Sequence, residues 1–92
     1  MSETPVNRLK RLAMRAWRRG TKEMDLILGP YADAHLAQLA PPALDAFEAL
    51  LAENDQDLYP WFTGQTVPPP AHAPLVAEIA AFAHARLRAQ TG

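Results

Sequence analysis

The chain is organised around one stretch, Arg18-Arg19-Gly20-Thr21-Lys22-Glu23, which lies at a sharp charge boundary. From Arg8 to Lys22 the chain has seven of its nine basic residues and no acid, and from Glu23 to Asp57 it has eight of its ten acids and no Lys or Arg. Gly20 is the only glycine among the first 28 residues. Because glycine lacks a Cβ, it can adopt φ > 0 at little cost, and the stretch therefore predicts a hinge between two helices.

Two charged residues flank this corner, and each has a structural and a functional interpretation. With Gly20 as the N-cap of the second helix, Glu23 is the N3 residue, where a carboxylate meets free N–H groups and the positive end of the helix dipole. Arg19 is then a cation at the end of the first helix, and its exposed ion pair contributes little to stability. Loss of the Arg19 side chain should cost about 0.3–1 kcal/mol of stability. On the functional interpretation both side chains contact a partner protein.

Apolar residues at helical spacing predict an all-α fold, a compact antiparallel bundle of five helices. The first helix should span 5–18, with Thr4 as N-cap and Pro5 at N1. The second should run from just past Gly20 to about residue 39 as one kinked helix, and the third and fifth should span 42–52 and 73–89. A short fourth helix should end at residue 62 with Asp55 or Asp57 as its N-cap, and Asp57 is favoured because a proline at position 60 fits only a first turn.

The predicted core consists of the inward-facing apolar residues of these helices, with two aromatic anchors in the short fourth helix. These residues are Leu9, Leu12, Ala13, Ala16, Trp17, Met24, Ile27, Leu28, Tyr31, His35, Leu39, Leu44, Phe47, Leu50, Leu51, Trp61, Phe62, Leu75, Val76, Ile79, Phe82, Ala83 and Leu87.

Four arginines, Arg8, Arg11, Arg15 and Arg18, follow one another at spacings of three, four and three and form a basic stripe on the first helix. Solvated faces are the usual place for charges. This stripe, however, has no acid at i+4 to relieve the repulsion between its members, which favours an acidic partner surface.

Length and composition set the remaining limits. We expect residues 1–92 to form a single helical domain with frayed ends at about 1–4 and 90–92. The sequence has no cysteine, which excludes disulfides and cysteine metal sites. No apolar run approaches the roughly 20 residues of a membrane span, and no signal peptide is recognisable. We therefore expect a cytoplasmic protein without membrane insertion.

Two blocks of sequence resemble one family, the succinate dehydrogenase flavinylation factors, also called succinate dehydrogenase assembly factor 2. The first block is Arg15-Ala16-Trp17-Arg18-Arg19-Gly20-Thr21-Lys22-Glu23-Met24-Asp25, which contains Arg-Gly-x-x-Glu. The second is Asp55-Gln56-Asp57-Leu58-Tyr59-Pro60-Trp61-Phe62, an acidic turn followed by Asp-Leu-aromatic-x-Trp. The order and spacing of the blocks also fit, and the resemblance extends from about residue 9 to residue 87.

The resemblance implies a bacterial assembly factor that binds the immature flavoprotein subunit of succinate dehydrogenase or fumarate reductase. The flavoprotein attaches FAD to its own histidine autocatalytically, and the factor acts as a clamp. It implies that FAD belongs to the client and that this chain, expected to be monomeric, binds no cofactor stably. The implied partner-binding residues are Arg19, Gly20, Glu23, Arg15, Arg11, Asp25 and Trp17.

The sequence lacks the motifs of several other classes of protein. No phosphate-binding loop, dinucleotide fingerprint or metalloprotease motif occurs, and the three histidines lie far apart in sequence without ligand partners at i+3 or i+4. We therefore predict no catalytic residue and no metal site. A nucleic-acid binder is disfavoured by the acidic middle of the chain and a pI near 6.3. An interaction module of another kind, such as an antitoxin-like inhibitor, remains the alternative.

Overall fold

Five α-helices make up most of residues 3–91, the part of the chain that the computed structural model describes. They are α1 Pro5–Trp17, α2 Lys22–His35, α3 Pro41–Leu51, α4 Asp55–Thr63 and α5 Ala73–Thr91, with a short 3₁₀ turn at Leu36–Gln38. The described residues contain no strand, so the all-α prediction is confirmed; the antiparallel arrangement remains a prediction. None of these helices is both long enough and apolar enough to cross a membrane.

The helix ends follow local rules that the sequence already displays. Thr4 is the N-cap of α1, its side chain accepts a hydrogen bond from the Asn7 N–H at 3.1 Å, and Pro5 is the first helical residue, as predicted. Helix α2 continues through Pro30 as one helix, also as predicted. Gly64 ends α4 in the left-handed conformation with φ of 80°, where a glycine avoids Cβ strain.

Three local predictions are wrong. The N-cap of α2 is Thr21, whose hydroxyl accepts from the Met24 N–H, so Glu23 is the second helical residue and not the third. Gly20 does not have a positive φ. The N-cap position of α4 is occupied by Asn54 and not by the favoured Asp57, and the helix begins at Asp55. Pro60 therefore lies inside the helix and removes one backbone hydrogen bond there.

Helices α1 and α2 make the most extensive contact between two elements. Gly29 allows this close approach, because a Cβ at that position would overlap the Trp17 ring. The Trp17 indole N–H also donates to Asp33 Oδ2 at 3.1 Å. Trp17, which is 38% exposed, therefore fastens the end of α1 to the middle of α2.

The core is centred on Tyr31 of α2. Its ring stacks on Phe47 of α3 and meets Phe82 of α5 edge-on, at centroid distances of 5.9 and 5.8 Å. Its hydroxyl donates to Glu78 of α5, and burial together with this bond raises the pKa of the hydroxyl above its usual range. The buried apolar residues are Leu12, Ala16, Met24, Leu28, Tyr31, Ala32, Leu36, Phe47, Leu50, Leu51, Leu58, Phe62, Val76 and Ile79.

Most of the predicted core is confirmed, with differences at its edges. Trp61 and Phe82 are only partly buried, and Leu87 is 59% exposed because it lies near the end of α5. At the other end of the chain, Thr4 caps α1 and Glu3 contacts Arg11. The expectation of frayed ends stays a prediction, and its residues 1, 2 and 92 lie outside the described residues.

Candidate functional site

The Arg19 side chain joins the end of α3 to the start of α4. Its Nε donates to Asp55 Oδ1 at 2.8 Å, and Nη1 and Nη2 donate to the carbonyl oxygens of Leu51 and Glu53, each at 2.7 Å. Leu51 is the last residue of α3, where helical carbonyls lack partners within the helix. The side chain is only 11% exposed. The expectation that Arg19 forms an exposed ion pair of low value is therefore wrong.

The backbone on either side of Arg19 is held by two carboxylates. The Arg19 N–H donates to Asp25 Oδ1 at 2.6 Å, and the Gly20 N–H donates to Asp55 Oδ2 at 2.8 Å. A Cβ on Gly20 would lie 3.2 Å from Asp55 Oδ2, so the glycine permits this close approach and does not supply an unusual φ. We call this hydrogen-bonded unit, formed by Arg19, Gly20, Asp25, Asp55 and the carbonyls of residues 51 and 53, the Arg19 junction.

A second contact ties the Arg19 junction to the segment before α5. Glu53, whose carbonyl accepts from Arg19, also places its carboxylate 2.9 Å from Nε2 of His72. The His72 ring lies against Trp61 with a centroid distance of 5.8 Å. This histidine therefore has a packing role, and among the described residues no three potential ligands gather into a metal-binding group.

Half of the basic stripe is neutralised by acids from elsewhere in the chain. Arg8 pairs with Asp45 at 2.7 Å and with Glu48 at 3.0 Å, and Arg11 pairs with Glu3 at 2.7 Å and with Glu48 at 2.9 Å. Hydrogen bonds from Arg11 hold the pKa values of Glu3 and Glu48 below their usual range. The expectation of a stripe without acidic relief is therefore wrong for its first two members.

The other half of the stripe has no such compensation. Arg15 and Arg18 form no ion pair or side-chain hydrogen bond with any of the described residues. They line a depression of about 360 Å³ together with Arg11, Arg19 and Met14. Met14 is 49% exposed. We call this depression the arginine cup.

A second depression borders the Arg19 junction and has two acids, Glu23 and Asp55, in its lining. It measures about 400 Å³, lies between α2 and α4, and is lined by Thr21, Glu23, Met24, Asp55, Gln56 and Tyr59. Met24 is buried, and Tyr59 is 39% exposed. The surface of the corner thus changes from basic to acidic and apolar across a few residues.

The structure gathers most of the predicted partner-binding residues around one corner. Arg11, Arg15 and Arg19 line the arginine cup, and Glu23 lines the depression between α2 and α4. Gly20 and Asp25 belong to the Arg19 junction, where the Gly20 N–H donates to Asp55 and the Asp25 carboxylate accepts from the Arg19 N–H. Trp17 instead packs on α2. Contact between these residues and a partner remains a prediction.

Sequence reasoning missed three residues of this surface. Asp55 was interpreted only as a helix cap, although it opens the second sequence block and therefore had a signal of its own. Met14 and Tyr59 were not considered, and their exposed fractions could not be deduced from apolar spacing alone.

Comparison with known proteins bears on the resemblance drawn from the sequence. A family profile described as flavinator of succinate dehydrogenase matches residues 10–83. The chain belongs to this family. The matched range includes all of α2, α3 and α4 and hence the whole Arg19 junction.

Named relatives of the flavinator family come from bacteria and fungi. The FAD assembly factor SdhE of Photobacterium profundum is 36% identical over 74 residues, which is 79% of this chain and 84% of the relative. The mitochondrial succinate dehydrogenase assembly factor 2 of Meyerozyma guilliermondii is 39% identical over 61 residues, or 66% of this chain and 45% of the relative. The mitochondrial succinate dehydrogenase assembly factor 2 of Mycosarcoma maydis is 40% identical over 70 residues, which is 76% of this chain and 29% of the relative. The chain thus aligns with less than half of the length of these two fungal relatives.

Proposed function

We propose that this chain is an assembly factor that binds the immature flavoprotein subunit of succinate dehydrogenase and promotes the covalent attachment of FAD to it. The observation that carries this proposal is the flavinator family match, which spans the Arg19 junction. It is supported by the bacterial relative named as an FAD assembly factor, which aligns over most of both chains. The comparisons do not favour the antitoxin-like alternative.

In this proposal the chain acts by positioning and not as an enzyme. The polar groups of the Arg19 junction are occupied by one another, because the Arg19 guanidinium and the Asp55 carboxylate are both engaged. The flavin and the flavoprotein supply the reacting groups. Holding reactants in a productive geometry can by itself supply a large rate factor.

The proposal assigns FAD to the partner and not to this chain. Small-molecule sites are usually concave and enclose most of the ligand. The depressions at this corner are lined by exposed side chains such as Arg18, Glu23 and Tyr59 and lie open on the surface. Such a surface suits contact with a protein better than enclosure of a dinucleotide.

The partner-binding residues divide into two groups in this proposal. Arg15, Arg18 and Glu23 are accessible for direct contact, because none of their side chains is buried or forms a hydrogen bond or ion pair with the described residues. Arg19, Gly20 and Asp25 are positioning residues that hold α1, α2 and α4 at a fixed corner. We further propose that the factor works as a monomer in the cytoplasm and, as the family resemblance implies, also serves fumarate reductase.

Co-expression tests the proposal directly. The apo flavoprotein subunit of succinate dehydrogenase is expressed with and without this chain, purified and denatured, and the flavin fluorescence that remains on the polypeptide is measured. We expect the chain to co-purify with the subunit and to raise its covalent flavin several-fold. Val67→Ser is a matched control, because this side chain is 90% exposed and lies far along the chain from the corner. Equal covalent flavin with and without the chain would refute the proposal.

A further inference from the structure

The arginine cup keeps positive charge that the described residues do not balance. Two of its four arginines are satisfied internally, Arg11 by Glu3 and Glu48 and Arg19 by Asp55. Arg15 and Arg18 have no such partner among the described residues. We propose that the cup receives an acidic segment of the flavoprotein that also carries a large apolar side chain. This inference rests on the proposed function and specifies the partner chemistry that it leaves open.

The four arginines of the stripe differ in their surroundings. Arg8 and Arg11 lie opposite α3, which supplies Asp45 and Glu48. Arg15 lies in the last turn of α1, Arg18 is the C-cap that follows it, and both line the cup, where their like charges repel. An external carboxylate between them would remove this repulsion and could be bound by both guanidinium groups, which favour planar carboxylate partners.

Met14 supplies the apolar surface of the cup. Its side chain is 49% exposed and lines the cup, three residues after Arg11 and four before Arg18. The methylene stems of the arginines extend this apolar surface, because long cationic side chains keep their stems against apolar groups while their heads reach solvent. Methionine adapts to irregular apolar partners. A segment with an apolar side chain beside its acid would match both features.

The position of the cup on α1 argues against a phosphate group as the occupant. Arg15 and Arg18 are at the C-terminal end of α1, which carries the negative end of the helix dipole. Phosphate sites typically use the free N–H groups of a helix N-terminus, where the dipole favours the anion. A singly charged carboxylate bound by outward-reaching guanidinium groups suffers less from this arrangement than a more highly charged phosphate.

A charge-reversal pair tests the inference. Arg15→Glu with Arg18→Glu should weaken binding to the apo flavoprotein subunit by more than about tenfold and reduce the salt dependence of binding. The matched control is Lys10→Glu with Arg86→Glu, which changes the net charge equally but lies outside the cup; its affinity should stay within about twofold of wild type. Melting temperatures of both variants check that the fold is retained.

A photo-crosslinker and a phosphate probe distinguish the possible occupants. With p-benzoylphenylalanine in place of Met14, crosslinks should map to a stretch of the flavoprotein with clustered Asp or Glu beside an apolar residue. Crosslinks to a stretch without acids would overturn the inference. The inference would also be overturned if free FAD bound the wild-type chain and the Arg15→Glu and Arg18→Glu pair abolished that binding, because the cup would then be a phosphate site. If wild type binds the subunit and the charge-reversed pair binds equally well, only this inference fails. If wild type itself does not bind, the proposed function fails.

Discussion

Replacing Arg19 with alanine should destabilise the fold much more than replacing its neighbour Arg18. Arg19→Ala removes hydrogen bonds to the carbonyls of Leu51 and Glu53 and to Asp55 Oδ1, at 2.7, 2.7 and 2.8 Å. Hydrogen bonds that involve a charged group contribute about 1.5–3 kcal/mol each, and contributions within one network are not additive. Because the Asp55 side chain is 20% exposed, water can partly replace the lost donor.

We therefore expect a loss of about 2–4 kcal/mol, compared with about 0.3–1 kcal/mol for an exposed helix-end charge. In a domain of this size each kcal/mol lowers the melting temperature by about 4–8 °C, so the predicted fall is about 10–30 °C. Arg18→Ala is the control, because Arg18 has the same charge and an exposed side chain without internal bonds, and it should change stability by less than about 0.5 kcal/mol. Thermal unfolding followed by circular dichroism measures both.

A melting temperature for Arg19→Ala within about 2 °C of wild type would refute this reasoning, since it corresponds to less than about 0.5 kcal/mol. The same result would return Arg19 to the group of residues available for direct partner contact. If the prediction holds, loss of flavoprotein binding by Arg19→Ala must be corrected for the unfolded fraction before it is assigned to the interface. Binding measured well below the melting temperature of the variant provides that correction.

Gly29→Ala should destabilise the fold by about 1–3 kcal/mol, because the added Cβ overlaps the Trp17 ring. The fluorescence maximum of Trp17 should shift as the ring moves, and an unchanged melting temperature would contradict the close contact. Phe47→Ala should cost about 3–5 kcal/mol, because this ring is fully buried beneath Tyr31, and urea unfolding at constant slope measures the loss. The ion pairs of Arg11 should make stability depend on pH in acid. Because the pKa of Glu48 is lowered in the folded protein, its contribution is complete above the unfolded pKa of about 4.5 and is lost as pH falls through the lower folded value. Arg11→Ala should flatten the stability curve between about pH 5 and pH 3; the same acid slope in wild type and variant would exclude this pair as its cause.

Five helices could be predicted from local sequence alone, because helix formation depends on neighbours three and four residues apart. Thr4 and Pro5 specify the start of α1, and apolar spacing correctly carried α2 through Pro30. The two sequence blocks also identified the family, since their order and spacing can be read without any knowledge of packing.

The packing of the helices determines which side chains of the corner are bonded within the fold and which are available to a partner. Arg19 meets Asp55 across 36 positions of sequence, and Arg8 meets Glu48 across 40. Local spacing contains no information about such pairs, because they form only when α3 and α4 pack against α1. For the same reason the stripe appeared uniformly basic in sequence, whereas in the structure its members Arg15 and Arg18 find no acidic partner among the described residues and Arg8 and Arg11 do.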